Sequence, residues 1–200
     1  MTFNPIRRAS RALAVVLACL AMTGCLSAKM YVDPALPKVA KGDLVQAAQP
    51  QPVQVLFEFR TKGNANSRAT EQIKPRVVAV AAESGLFSNV SSNVNGGGVL
   101  KVVIDNVPIT DNAMAKGFGT GLTFGLVGSM VTDGYVCTAT YSRNGVTTEA
   151  TAKHALHTTI GNHAGPPGLA ALDPQTAVNQ VMDQLTWNVL KQLSDKKAFD

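Results

Sequence analysis

The chain has 200 residues, 46% of them hydrophobic and 16% charged, with a formal net charge of +5. That length suits one compact domain, and the shortage of charge against an ordinary soluble domain, at roughly 25%, excludes a coiled coil and wholesale disorder. Assigning Arg7, Arg8 and Arg11 to a removed leader leaves 15 basic against 13 acidic residues, a balance of +2 that offers no electrostatic case for nucleic acid as a partner.

Residues 1–24 follow the three-part export pattern: a basic start, an apolar run from Ala12 to Met22, and small residues before a cleavage point. The apolar run is shorter than the roughly 20 residues that a spanning helix needs. Its end, Leu20-Ala21-Met22-Thr23-Gly24-Cys25, resembles the bacterial lipoprotein signal, departing from the favoured aliphatic residue only at Met22. The resemblance implies that Cys25 becomes the first mature residue and carries acyl chains, and two or more chains hold a protein stably at a bilayer. Leu26, standing where an Asp would imply retention at the inner membrane, implies by the same resemblance an address at the outer membrane. The partner so implied is the membrane itself, reached through the lipid. Cys19 leaves with the leader and Cys25 is modified, so Cys137 remains as a single thiol, read as a buried core residue.

Residues 25–52 show no sustained period and carry Pro34, Pro37, Pro50 and Pro52, which predicts a tether between lipid and domain. The alternative is that Tyr31 and Val32 strap onto the domain. From residue 53 to 200 the pattern is that of a folded unit. Val53, Val55, Phe57 and Phe59 alternate with Gln54, Glu58 and Arg60, predicting a strand with one buried face. Ser67 is a candidate cap for a helix with Ile73, Val77 and Val80 on one side, closed by Gly85. Pro75 inside it predicts either a kink or a regular part that begins near Lys74. A short strand over 87–93, a turn at Asn95 to Gly98 and an apolar run over 99–107 follow. Runs over 135–142 and 146–158 flank Asn144-Gly145, the signature of a two-residue hairpin turn. Asp173-Pro174 opens a final helix whose stripe is Val178, Val181, Met182, Leu185, Val189 and Leu193.

Residues 113–131 interrupt this order. From Gly117 to Val131 there are 15 uncharged residues, too few to span a membrane alone. Gly117, Gly121 and Gly125 form two overlapping G-x-x-x-G units that allow close backbone packing, while Phe118, Leu122, Phe124 and Leu126 supply an apolar side too large for a solvated loop. Three readings stay open: packing on the domain's own sheet, contact with a second copy or another protein, and partial entry into lipid.

Trp187 projects about 180° from the stripe of the final helix and predicts either packing under the tether or an aromatic anchor for a partner. His154 and His157 lie three apart on a predicted strand, hence on opposite faces; with no acidic residue or Cys clustered beside them they do not read as metal ligands. His154 is expected to be partly buried and His157 solvated. No nucleophile elbow, phosphate loop or zinc-protease motif occurs, so neither a catalytic residue nor a cofactor is assigned.

These elements predict an α+β fold: a two-layer sandwich of a mainly antiparallel four- or five-stranded sheet with two helices on one face, plus the Gly-rich apolar insert. The order of elements broadly resembles small envelope-assembly lipoproteins, such as the lipopolysaccharide-assembly lipoprotein and the auxiliary lipoproteins of transport systems. That resemblance implies partner binding and transfers no functional residue. The expected role is non-enzymatic binding of an envelope component by a lipid-anchored domain facing the periplasm. The alternative is a module for a small apolar or lipid ligand, with Phe118, Leu122 and Phe124 at its entrance.

Overall fold

The computed structural model describes residues 28–91, 93, 97–109, 130–161 and 163–200. The described strands are β1 (Ala28–Val32), β2 (Gln51–Thr61), β3 (Asn64–Ala65), β4 (Phe87–Ser91), β5 (Gly98–Pro108), β6 (Met130–Arg143) and β7 (Val146–Ile160), with helices α1 (Ser67–Glu83) and α2 (Pro174–Asp195). They form one sheet in the order β1-β7-β6-β5-β2-β3, with β4 also paired to β2.

The α+β class and the two helices match the expectation, and the sheet is larger and mixed. Strand β2 runs parallel to both β4 and β5, while β1 with β7, β6 with β7, and β5 with β6 are antiparallel. A strand, a helix and a further strand in one sheet form a crossover, and a crossover brings its strands in parallel. The chain then crosses the start of β2 to reach β5. At Gly97 an added Cβ would lie 2.1 Å from the Pro52 carbonyl oxygen, so this crossing admits no side chain.

Alternation sorts the strands as the sequence indicates. Val53, Val55, Phe57, Leu100, Val102, Ile104, Cys137, Ala139 and Ala152 point to the helix side, where Val77, Val80 and Ala81 of α1 and Val181, Leu185, Val189 and Leu193 of α2 close over them. The cap of helix α1 lies one residue earlier than expected: the Asn66 side chain, rather than Ser67, accepts from the Ala69 N–H at 3.1 Å. The helix continues through Pro75 and stops at Gly85, whose φ is +74°. Asp173 caps α2 by accepting from the Thr176 N–H at 3.0 Å. Asn144 and Gly145 turn the β6–β7 hairpin with φ of +51° and +79°.

The expectation of a free tether through residue 52 fails from Ala28 onward. Strand β1 pairs with β7 from Ala28↔Ile160 to Val32↔Leu156, and Met30 exchanges backbone hydrogen bonds with Leu172 on its other edge. Leu44 and Ala47 are buried in the core, the Asn188 side chain donates to the Pro37 carbonyl, and the Val45 N–H donates to the Ser194 hydroxyl. The strap alternative is the one observed. The prolines that read as linker punctuation stand in a segment anchored by the buried side chains of Tyr31, Leu44 and Ala47.

Candidate functional site

The site worth attention lies where β1 joins the sheet. Residues 29, 31 and 33 point away from the helices, as do 155, 157 and 159 of β7 and 130 and 132 of β6, because pairing and alternation place them on one face. There the His157 Nε2–H donates to Asp33 Oδ2 at 3.1 Å, and His157 Nδ1 lies 2.9 Å from the Thr132 hydroxyl. The second Asp33 oxygen accepts the Ala35 N–H at 2.8 Å. Burial would raise the Asp33 carboxyl, but the hydrogen bond from His157, the bond from Ala35 and the nearby imidazole charge outweigh it and hold the group below the ordinary carboxylate range.

This Asp33–His157–Thr132 chain has the connectivity of a proton relay, with the His157 and Asp33 side chains 0% and 1% exposed and Thr132 partly exposed. Its hydrogen bonds form a clasp joining the strap to two strands. It corrects the expectation for His157, which is buried because the strap covers it. The sequence signal was Asp33-Pro34, which reads as an ordinary turn unless the strap is paired.

His154 faces the other side of the sheet, as its spacing from His157 predicts. Its Nε2–H donates to Gln184 Oε1 of α2 at 2.5 Å, and its Nδ1 accepts the Ala155 N–H at 3.0 Å. Those partners select the neutral Nε2–H tautomer. Burial pushes its pKa down, against an opposing hydrogen bond from Gln184, in keeping with a ring that has no room for a second proton. His163 is exposed and joins neither ring. Among the described residues no three His, Cys, Asp or Glu side chains stand together as a metal site. Cys137 is fully buried and burial pushes its thiol up, which removes the thiolate a nucleophile requires.

Trp187 is half-buried and packs against the core, and its neighbour Asn188 is where the strap crosses α2. Cys25, Phe118, Leu122, Phe124, Leu126, Gly117, Gly121 and Gly125 lie outside the described residues. No helix among the described residues is long and apolar enough to cross a membrane.

No family model and no curated protein matches the chain. Among solved structures it is similar to a PelC dodecamer from Paraburkholderia phytofirmans, at 13% identity over 84% of this chain and 97% of that one, with a TM-score of 0.36. A minor lipoprotein from Acinetobacter baumannii is similar at 12% identity over 76% of this chain and 90% of that one, with a TM-score of 0.33. A Xanthomonas campestris protein of the DUF330 family is similar at 14% identity over 82% and 87%, with a TM-score of 0.35. Likenesses of this size fix neither a family nor an activity.

Proposed function

We propose that this protein is a cell-envelope lipoprotein, anchored through Cys25 at the outer membrane, whose α+β domain binds another envelope component without catalysing a reaction. The observation that supports this reading is the spacing between the lipobox-like cysteine and the fold. Cys25 stands three residues before Ala28, the first residue of a strand paired into the sheet. Three residues span at most about 11 Å, so an acyl anchor there would hold the whole domain against the membrane. In the Asp33–His157–Thr132 relay the Asp33 and His157 side chains are sealed from solvent and tie the strap to the sheet, which favours a structural task for it.

In this reading the Gly-rich segment, where Phe118, Leu122, Phe124 and Leu126 alternate in sequence with Gly117, Gly121 and Gly125, is the contact for a protein partner or a second copy, and Trp187 is a subsidiary one. The deciding experiment has two parts. Radiolabelled palmitate is expected in the native protein and absent from Cys25→Ser, which leaves the membrane fraction. Photocrosslinkers placed at Phe124 and Trp187 are expected to recover one dominant envelope protein in cells. A native protein free of palmitate defeats the anchor, and diffuse crosslinking defeats the partner.

A further inference from the structure

The pairing register places four chain positions at one tip of the sheet. Strand β5 ends at Pro108, opposite Asp133, so among the described residues β6 continues beyond it as Met130 to Thr132, paired with the last residues of β7, which pair in turn with the first of β1. At this three-stranded tip Ala28 stands directly opposite Ile160, and Val131, opposite Thr158, is a diagonal neighbour of Ile160 on the same face. Val131 is 57% exposed and Ile160 44%, and Ala28 and Lys29 are also exposed. Large apolar side chains left in water side by side on a strand end mark a contact surface.

Chain connectivity identifies the occupant. Cys25 is three residues from Ala28, a reach of at most about 11 Å. Strands β1 and β6 are two strand spacings apart, about 10 Å, so Met130, the first residue of β6, lies in the same neighbourhood. The opposite end of β7, at Val146, is about 46 Å away along the strand.

We infer that the tip formed by the start of β1, the start of β6 and the end of β7 rests in the headgroup layer of the bilayer that holds Cys25, with Val131 and Ile160 touching lipid. This rests on the anchored reading above and adds an orientation to it: the sheet stands on its β1 tip, with the β6–β7 turn pointing away from the membrane. Lys29, exposed on the other face of the same tip, meets anionic headgroups at the same depth.

The test uses the full, acylated protein in vesicles of phosphatidylethanolamine and phosphatidylglycerol. An environment-sensitive fluorophore is attached in turn to Val131→Cys, Ile160→Cys and Val146→Cys. The buried Cys137 does not compete for label, and far-ultraviolet dichroism confirms that each variant is folded. Labels at 131 and 160 are expected to shift to the blue and to lose emission when brominated lipid is included, while the label at 146 keeps the emission it has in buffer. Acylated protein that floats with the vesicles yet shows three equally unquenched labels overturns the orientation alone. Protein that carries no palmitate and does not float overturns the orientation together with the anchor.

Discussion

His157 Nε2 lies 3.1 Å from Asp33 Oδ2 with neither side chain open to solvent, so one buried contact joins the seventh strand to the residue that follows the first. Removing one partner strands the other polar group in a site built for two. Asp33→Ala is expected to destabilise the domain by about 3 kcal/mol, the usual cost of breaking a buried pair from one side. In urea unfolding, Asp33→Ala with His157→Ala is expected to cost less than the two single changes combined. Strict additivity would show that the contact couples nothing.

The ring of His154 gives stability a pH dependence of known sign. Its folded-state pKa lies below the ordinary imidazole value of 6.5, chiefly through burial, so below that value the unfolded chain takes up a proton that the folded chain refuses. The contribution is complete above about pH 6.5 and is lost as the pH falls toward the lowered value. Urea midpoints at about pH 7.5 and about pH 5.5 are expected to differ less in His154→Gln than in the parent. The Asp33 clasp is not lost in this window, because its depressed carboxyl stays ionised until the pH falls below the ordinary aspartate value of 3.8.

Two glycines separate steric need from conformational need. A Cβ on Gly97 would sit 2.1 Å from the Pro52 carbonyl oxygen, whereas one on Gly145 meets nothing but must adopt φ near +79°. Gly97→Ala is expected to cost about 3 kcal/mol or to prevent folding, and Gly145→Ala about 1 kcal/mol. Thermal unfolding of the two variants side by side checks the order.

Beyond the reach of β1, the edge of β7 is covered by a side chain in place of a strand. Gln192 of α2 accepts the Thr151 N–H at 3.4 Å and donates to the Thr151 carbonyl at 2.9 Å, and Lys196 donates to the Glu149 carbonyl. An uncovered edge invites pairing between copies. Gln192→Ala is expected to speed hydrogen exchange at Thr151 and to raise the tendency to aggregate, with about 1 kcal/mol of stability lost.

The thiol of Cys137 is expected to ignore maleimides and aromatic disulfides in the native protein and to react stoichiometrically in denaturant. Its complete burial and raised pKa both withhold the thiolate. Rapid modification without denaturant would show that the core opens.

Local chemistry was legible wherever one residue governs one feature. Asp173-Pro174 opened a helix, Gly85 closed one, Asn144-Gly145 turned a hairpin, and the alternation from Val53 to Phe59 marked the buried face. Pairing across distance was not. Strand β1 has five residues and owes its conformation to Leu156–Ile160 and to Leu172, none of which is near it in the chain. Its burial changed the surroundings of His157, so missing the strand also meant missing the clasp. The parallel pairing of β2 with β5 likewise depends on how the chain crosses Pro52, and a run of glycines announces only that it bends. Trp187 stands between these cases: the helical wheel turned it away from the main stripe, and the fold leaves it half-buried beside the strap crossing at Asn188.

Phe199, the penultimate residue, stacks edge-on to Phe87 and Tyr141 at 5.1 and 4.9 Å between ring centres, while Met30 is held by Leu172 near the start of α2. The first strand and the residues just after the final helix thus complete one core. A chain synthesised from its N-terminus cannot close that core until Phe199 has left the ribosome, and contacts so far apart in sequence form slowly. The turn after the final helix is the catch that shuts the fold.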